Sequence, residues 1–261
     1  MSRFYIYGAL PPLDFGAMPE ISSRALNELF ELNLSKLDLK KVEVLKLWID
    51  IMNIYGLFRN LSFDSRGNYS KSTIKALIAN EEDLPPYVLE FFQTYENEED
   101  RRKYFPKIIA LYFSEEKKNS SGFLHKFLAF EQDMRILLAG YRAKKLGIDL
   151  AKELQFADLD DPIVNIVLMQ KDQSGQFQFP IEYSDLEDAI RQAGDDPSLQ
   201  YDAVARYRFN YYIKNFTESI FSLEGILAYM QALWILEDYF ALKKEEGEKF
   251  LSKIVERENV S

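Results

Sequence analysis

The sequence has no cysteine. Disulfides, iron–sulfur clusters and thiolate zinc sites are therefore excluded, and a reducing compartment is permitted. There is one histidine, His125. A single imidazole cannot supply the several His ligands of a zinc or non-haem iron centre, and no strand–turn–helix context supports a Ser–His–Asp nucleophile. Glycine and proline are scarce, 11 and 9 among 261 residues, which disfavours a sheet protein built on many tight turns. No run approaches the ~20 apolar residues of a membrane span. The nearest candidate, 225–236, is closed by Glu224 and Glu237. The N-terminus lacks the apolar core of a signal peptide. Basic residues number 32 against 42 acidic, for a net charge of −10, which argues against general nucleic-acid binding and against docking on anionic lipid. A glycine-rich phosphate loop and a Rossmann fingerprint are both missing.

What remains is apolar and aromatic. Hydrophobic residues make up 47% and aromatics 15%, mostly 20 Phe and 16 Tyr, enough for a substantial core. The expected fold class is all-α: a compact multi-helix body with a short extended N-terminal segment. That segment, residues 4–10, reads as a strand or a tucked-in arm stopped by Pro11 and Pro12. Ser22 or Ser23 caps a short helix ending near Asn33, and Asp38 caps the next, running to about Leu61. On that helix Leu45, Trp48, Ile49, Met52 and Tyr55 recur at helical spacing. Residues 62–72 read as a loop, and helices follow near Ser72, near Pro85 and Pro86, and over roughly 98–114.

A further helix spans Phe123 to Leu146, with Ser120 or Ser121 as cap and Gly147 as its stop. Asp161 and Pro162 read as the cap and first turn of another. Residues 170–180 form a loop or small hairpin. Ser184 and Glu187 have capping-box spacing for a helix ending before Gly194. Pro197 opens an aromatic-rich helix, and the last runs from about Ser222 to Val255. Three long helices dominate, near 39–61, 123–146 and 222–255, separated by roughly 80 to 100 residues. This spacing implies three related units within one body, approximately 1–80, 81–160 and 161–261.

The acidic run Asp158, Asp160 and Asp161 carries the most tempting chemistry. Helical prenyl-diphosphate enzymes use Asp-rich motifs for magnesium, whose hard-ligand preference suits carboxylates. The second metal motif is missing, because Asn215 to Glu224 has the wrong spacing, and no Arg or Lys set stands by for a diphosphate. The plain reading is that Asp161 caps a helix and its neighbours favour the positive N-terminal end.

Two segments resemble a known family. The opening Phe4-Tyr5-Ile6-Tyr7-Gly8-Ala9-Leu10-Pro11-Pro12-Leu13-Asp14-Phe15-Gly16 looks like the start of an uncharacterised bacterial family encoded within V-type ATPase operons. The run Leu223-Glu224-Gly225-Ile226-Leu227-Ala228-Tyr229 is similar to a helix start in the C-type subunit of V/A-type ATPases, whose eukaryotic counterpart is called d. Lys243 and Gly247 fill the closing positions of that helix, while Ala232, Leu233 and Trp234 stand where the family places charges. On the middle helix, Glu131, Arg135 and Arg142 resemble the acid–Arg signature of the same family, and Asp50, Asn53 and Arg59 resemble it on the first. The resemblance implies an all-helical, pseudo-threefold rotor subunit with no catalytic residue and no cofactor. Its partners would be the central shaft and the membrane ring, on the cytoplasmic side and without insertion into the bilayer. It also implies buried Glu–Arg pairs such as Glu131 with Arg135 fixing helix register.

Overall fold

A computed structural model describes residues 3–80, 83–172, 175–219 and 221–258, with side chains through Lys244. Among the described residues the regular structure is helical, with no strand. In chain order the helices are α1 (Arg3–Ala9), α2 (Ser23–Asn33), α3 (Lys36–Arg59), α4 (Lys71–Asn80), α5 (Pro86–Thr94), α6 (Glu98–Lys118), α7 (Gly122–Leu146), α8 (Leu150–Glu153), α9 (Pro162–Leu168), α10 (Ser184–Ala193), α11 (Pro197–Glu218) and α12 (Leu223–Glu258). A 3-10 turn, Ile181–Tyr183, leads into α10. No described helix is long and apolar enough to cross a membrane.

Many boundaries follow local chemistry. Ser22 accepts from the Ala25 N–H and caps α2, and Asn97 does the same for α6 through the Asp100 N–H. Asp161 accepts from the Ile163 N–H ahead of Pro162, so the proline sits where its missing N–H costs nothing. Gly147 ends α7 in the left-handed conformation, φ 66°.

Other boundaries differ from the sequence reading. Residues 3–9 are helical, not extended. With no neighbouring strand to complete a ladder, a helical turn satisfies these backbone groups locally, and it turns Ile6 inward while Phe4 and Tyr5 face out. Asp38 does not cap α3. Ser35 takes that role through the Asp38 N–H, which leaves the Asp38 carboxylate to bind Arg3. Neither expected serine caps α7, since Ser121 makes no side-chain cap bond and Ser120 donates to the Lys117 carbonyl. The capping box at Ser184 fails because the 3-10 turn feeds straight into α10. Ser184 is already helical, and Glu187 pairs with Arg191 at 2.6 Å. At 21 and 22 residues, α6 and α11 nearly match α3 and α7, so the long helices are not confined to three.

The chain divides into two packing units. One joins Met1–Leu39 to Tyr183–Ser261, and the other is Lys40–Glu182. In the first, α11 lies along α12, α10 packs on α11, and α1 and α2 both touch α12. Residues 226–236 of α12 are buried around the full helix circumference, the pattern of a central helix and not of an amphipathic one. In the second, α6 and α5 pair, α6 packs on α7, and α7 carries α8 and α9. Aromatic rings set the fit of α3 on α6. Trp48 meets Tyr112 and Phe113 at 5.5 Å, and Tyr55 meets Phe105 at 4.8 Å. The fully buried Tyr112 hydroxyl donates to the Val44 carbonyl at 3.2 Å, so the large ring brings no unsatisfied polar atom into the core.

Candidate functional sites

The first constellation grows from one face of α3. Asp50 and Asn53 lie three residues apart, so both point the same way, and both are buried. The Asp50 carboxylate accepts from the Asn68 backbone N–H at 2.9 and 3.0 Å, from Asn68 Nδ2 at 2.8 Å and from the Tyr69 N–H at 3.2 Å. Asn53 binds residue 64 twice, accepting from its N–H and donating to its carbonyl, each at 2.8 Å. Together they hold the 61–70 loop as a second strand would, with side chains replacing a backbone ladder. Gly67 is required for the approach, because a Cβ there would overlap Asp50 Oδ1.

The two acids at this loop are shifted oppositely. Burial raises the Asp50 pKa, against the pull of the Asn68 and Tyr69 donors and of Lys46. Burial also raises Asp64, but the Arg66 guanidinium, 2.6 Å away, and the Arg66 N–H outweigh it and hold Asp64 below the usual range. A raised folded value means the group favours folding most below the ordinary Asp pKa and loses that contribution as pH rises through the folded value. A lowered value means the reverse. Unfolding free energies measured between about pH 3 and pH 7 for Asp50→Asn and Asp64→Asn, each relative to the parent, should therefore change with opposite slopes. Parallel slopes would show that the two carboxylates do not sit in these environments.

A second constellation joins α6, α7 and α9. Lys117 Nζ donates to Gln132 Oε1 at 2.8 Å and lies 3.6 Å from Asp161 Oδ2, and Gln132 Nε2 donates to the same oxygen at 3.2 Å. Asp161 is thus fully used as cap and ion-pair partner, while Asp158 Oδ1 accepts from the Asp160 N–H in a local turn. Among the described residues, no group of three or more acids and His forms a metal site. Asp161→Ala should cost about 2 kcal/mol, combining a lost cap with a lost charge-assisted pair. Thermal unfolding with and without magnesium checks this, since a metal site would make the loss depend on the ion.

The third constellation is an aromatic corner where α1 meets the turn from α11 to α12. Tyr7 stacks on Phe216 at 4.9 Å and 8°, and its hydroxyl donates to the Phe216 carbonyl at 2.7 Å. Tyr229 donates to the Pro11 carbonyl at 2.7 Å. Burial raises both phenols, so they remain donors across the physiological range. Phe15 is wedged beside Phe209 and Tyr239, with the Arg206 guanidinium 4.4 Å over its ring. Phe221 sits at φ 61°, a left-handed backbone that costs a bulky residue about 1–3 kcal/mol. Nearby, Glu237 of α12 accepts from the Ser23 N–H at 2.7 Å and from the Ser23 hydroxyl, putting a carboxylate on the positive end of α2.

The residues singled out from sequence divide accordingly. Asp50, Asn53 and Tyr229 are buried and each ties a separate chain segment. Arg59 is exposed, its guanidinium 4.8 Å over Tyr55. Arg135 is exposed, with its guanidinium 4.8 Å over Trp48, and Glu131 is half-buried, so the two are not buried together as the resemblance implied; the long arginine side chain reaches across to a neighbouring ring and keeps its charge in water. Arg142 and Glu224 are exposed, and Lys243 Nζ donates to Ser198 Oγ at 3.3 Å. Gly247 lies beyond the described side chains. His125 is exposed, with Nδ1 3.0 Å from the Lys117 carbonyl. The sequence singles out neither Gly67 nor Asn68, although Gly67 is isolated in a chain poor in glycine. Tyr7 and Gly225 stand out only as members of the family-like segments, and Glu237 only as the end of an apolar run, with no partner indicated for any of them.

No solved structure matches this chain. Its relatives include uncharacterised chlamydial proteins. One from Chlamydia pneumoniae is 29% identical over 236 residues, covering 87% of this chain and 88% of the relative. One from Chlamydia trachomatis serovar D is 26% identical over 213 residues, covering 79% and 80%. One from Chlamydia muridarum is 26% identical over 235 residues, covering 87% and 88%. The family model described as "Protein of unknown function (DUF2764)" matches residues 1–259, and this chain belongs to that family.

Proposed function

We propose that this chain is a non-catalytic subunit of a V-type ATPase, working in the central stalk between the rotating shaft and the membrane ring. The observation that carries the reading is that the residues resembling the C-type family all fall on long continuous helices. Asp50, Asn53 and Arg59 are on α3, Glu131, Arg135 and Arg142 on α7, and Glu224, Tyr229 and Lys243 on α12. A torque-bearing part needs stiffness more than it needs a cleft, and buried side chains that tie loops to helices supply stiffness. On this reading α3, α7 and α12 are corresponding helices of three related stretches, 1–80, 81–160 and 161–261, a division by descent distinct from the two packing units. The protein is peripheral, held on the cytoplasmic side by its partners, and carries no reaction of its own.

Affinity purification of the ATPase through one of its other components tests the reading. The chain should copurify in fixed ratio with the shaft and the ring. An intact, ion-coupled complex isolated without it would overturn the assignment.

A further inference from the structure

We propose that the exposed rings of Phe4, Tyr5 and Phe221 form a docking surface for a basic segment of a partner protein, one that lays arginine or lysine side chains on the ring faces. These residues are 63%, 62% and 49% exposed, unusually open for aromatics in a chain whose other large rings are mostly packed. Phe4 and Phe221 meet at 4.9 Å and Phe221 meets Tyr7 at 5.2 Å, and Tyr5 follows Phe4 on α1. Their support is fixed. The Tyr7 hydroxyl holds α1 to the Phe216 carbonyl, and Ser222 binds the Ser219 carbonyl through both its N–H, at 3.2 Å, and its hydroxyl, at 2.7 Å. That turn keeps Phe221 in its left-handed conformation with the ring presented outward.

The occupant follows from charge. Elsewhere the chain covers rings with its own cations: Arg135 on Trp48, Arg59 on Tyr55, Arg206 on Phe15 and Arg101 on Phe92. Among the described residues, none stands over Phe4, Tyr5 or Phe221. The cation nearest in sequence, Arg3, is held by Asp38 at 2.8 and 3.0 Å. Exposed Glu218 and Glu224 lie three residues to either side of Phe221, with exposed Lys214 one turn further back on α11. An aromatic surface flanked in sequence by more exposed acids than bases, on a chain of net charge −10, matches a basic partner. A second copy would bring the same net negative charge and is a poor match. The chemistry of the partner stands on these observations, and only its identity as part of the shaft or ring rests on the ATPase reading.

The test uses the full chain and fluorescence anisotropy with labelled synthetic peptides of alternating Arg and Leu, Lys and Leu, or Glu and Leu. The Arg peptide should bind best and the Glu peptide least. Phe221→Gly and Tyr5→Ser should each weaken the Arg peptide by about ten-fold. The melting temperature of Phe221→Gly should hold or rise, because glycine adopts φ 61° without strain. Equal binding of the Glu peptide overturns the proposal. So does undiminished binding to both variants, which would mean diffuse attraction to an acidic protein, or self-association through this patch in sedimentation. Each of these results leaves the copurification outcome untouched, and the reverse also holds.

Discussion

Asp50→Ala is expected to lower the unfolding free energy by about 3 kcal/mol and to open the 61–70 loop to trypsin at Arg66. The loss comes from stranded donors. The carboxylate is 1% exposed and receives the Asn68 N–H, the Asn68 side-chain amide and the Tyr69 N–H. Each donor left without a partner costs about 1–3 kcal/mol, with water recovering part of the loss. Asp50→Asn should recover little, because every neighbour of the carboxylate is a donor and an amide NH2 would face N–H groups. Gly67→Ala offers an independent route to the same outcome by pressing a methyl group into Asp50 Oδ1. Asn53→Ala should cost less, since residue 64 also makes a local pair with Arg66. Urea midpoints rank the variants, and the fragment cut after Arg66 reports the loop directly. An unchanged midpoint together with an uncut loop would show that the loop is held by something else.

The helices are legible in the sequence because each rests on local chemistry. Ser22 and Asp161 specify their helix starts through side chains that bond within three residues, Pro162 fits a first turn that needs no N–H from it, and Gly147 ends its helix through a left-handed backbone, so each works wherever the rest of the chain goes. The failures arise where a distant partner reassigns a residue. Asp38 has the right identity for a cap, but Arg3, far along the chain, takes its carboxylate. Residues 4–10 look extended because Pro11 and Pro12 follow, while the helix there is completed by Tyr7 reaching Phe216 across more than two hundred residues. Asp50 and Asn53 are marked by resemblance, but their partners Gly67, Asn68 and Asp64 are not, because a loop that satisfies its backbone on side chains has no periodicity to read.

These ties bear on the proposed role. A part that transmits torque fails at its loops before its helices, since loops hold the fewest buried contacts. Here the long loop after α3 is fastened by two buried side chains, and the arm after α1 by a tyrosine from α12. The second unit's Lys144 reaches the Gln170 carbonyl at 2.5 Å, and Gln170 holds residue 178 by both ends of its amide. Stiffening of this kind fits a part whose work is mechanical, and it uses no exposed group that a substrate would need.

Gly225→Ala should destabilise the chain by about 2 kcal/mol and release α1 from its seat. Two effects compete. In a helix, alanine is favoured over glycine by up to about 1 kcal/mol, and less than that in the first turn, where Gly225 lies. Against this, a Cβ at position 225 would stand 2.5 Å from the Ser219 carbonyl oxygen and 2.8 Å from Tyr7 Oη. The first is a backbone atom in the turn that fixes Phe221 and cannot swing aside. The second belongs to the hydroxyl that binds the Phe216 carbonyl, so the methyl group pushes on the bond that seats α1. Overpacking of this kind costs about 1–3 kcal/mol, which exceeds the propensity gain. Combining Gly225→Ala with Tyr7→Phe should restore only part of the loss, because the Ser219 contact remains. Hydrogen exchange of the α1 amides should rise in the single variant while α6 and α7 stay protected. A melting temperature equal to or above the parent would mean that the corner yields without strain, and that α1 is not seated by this contact.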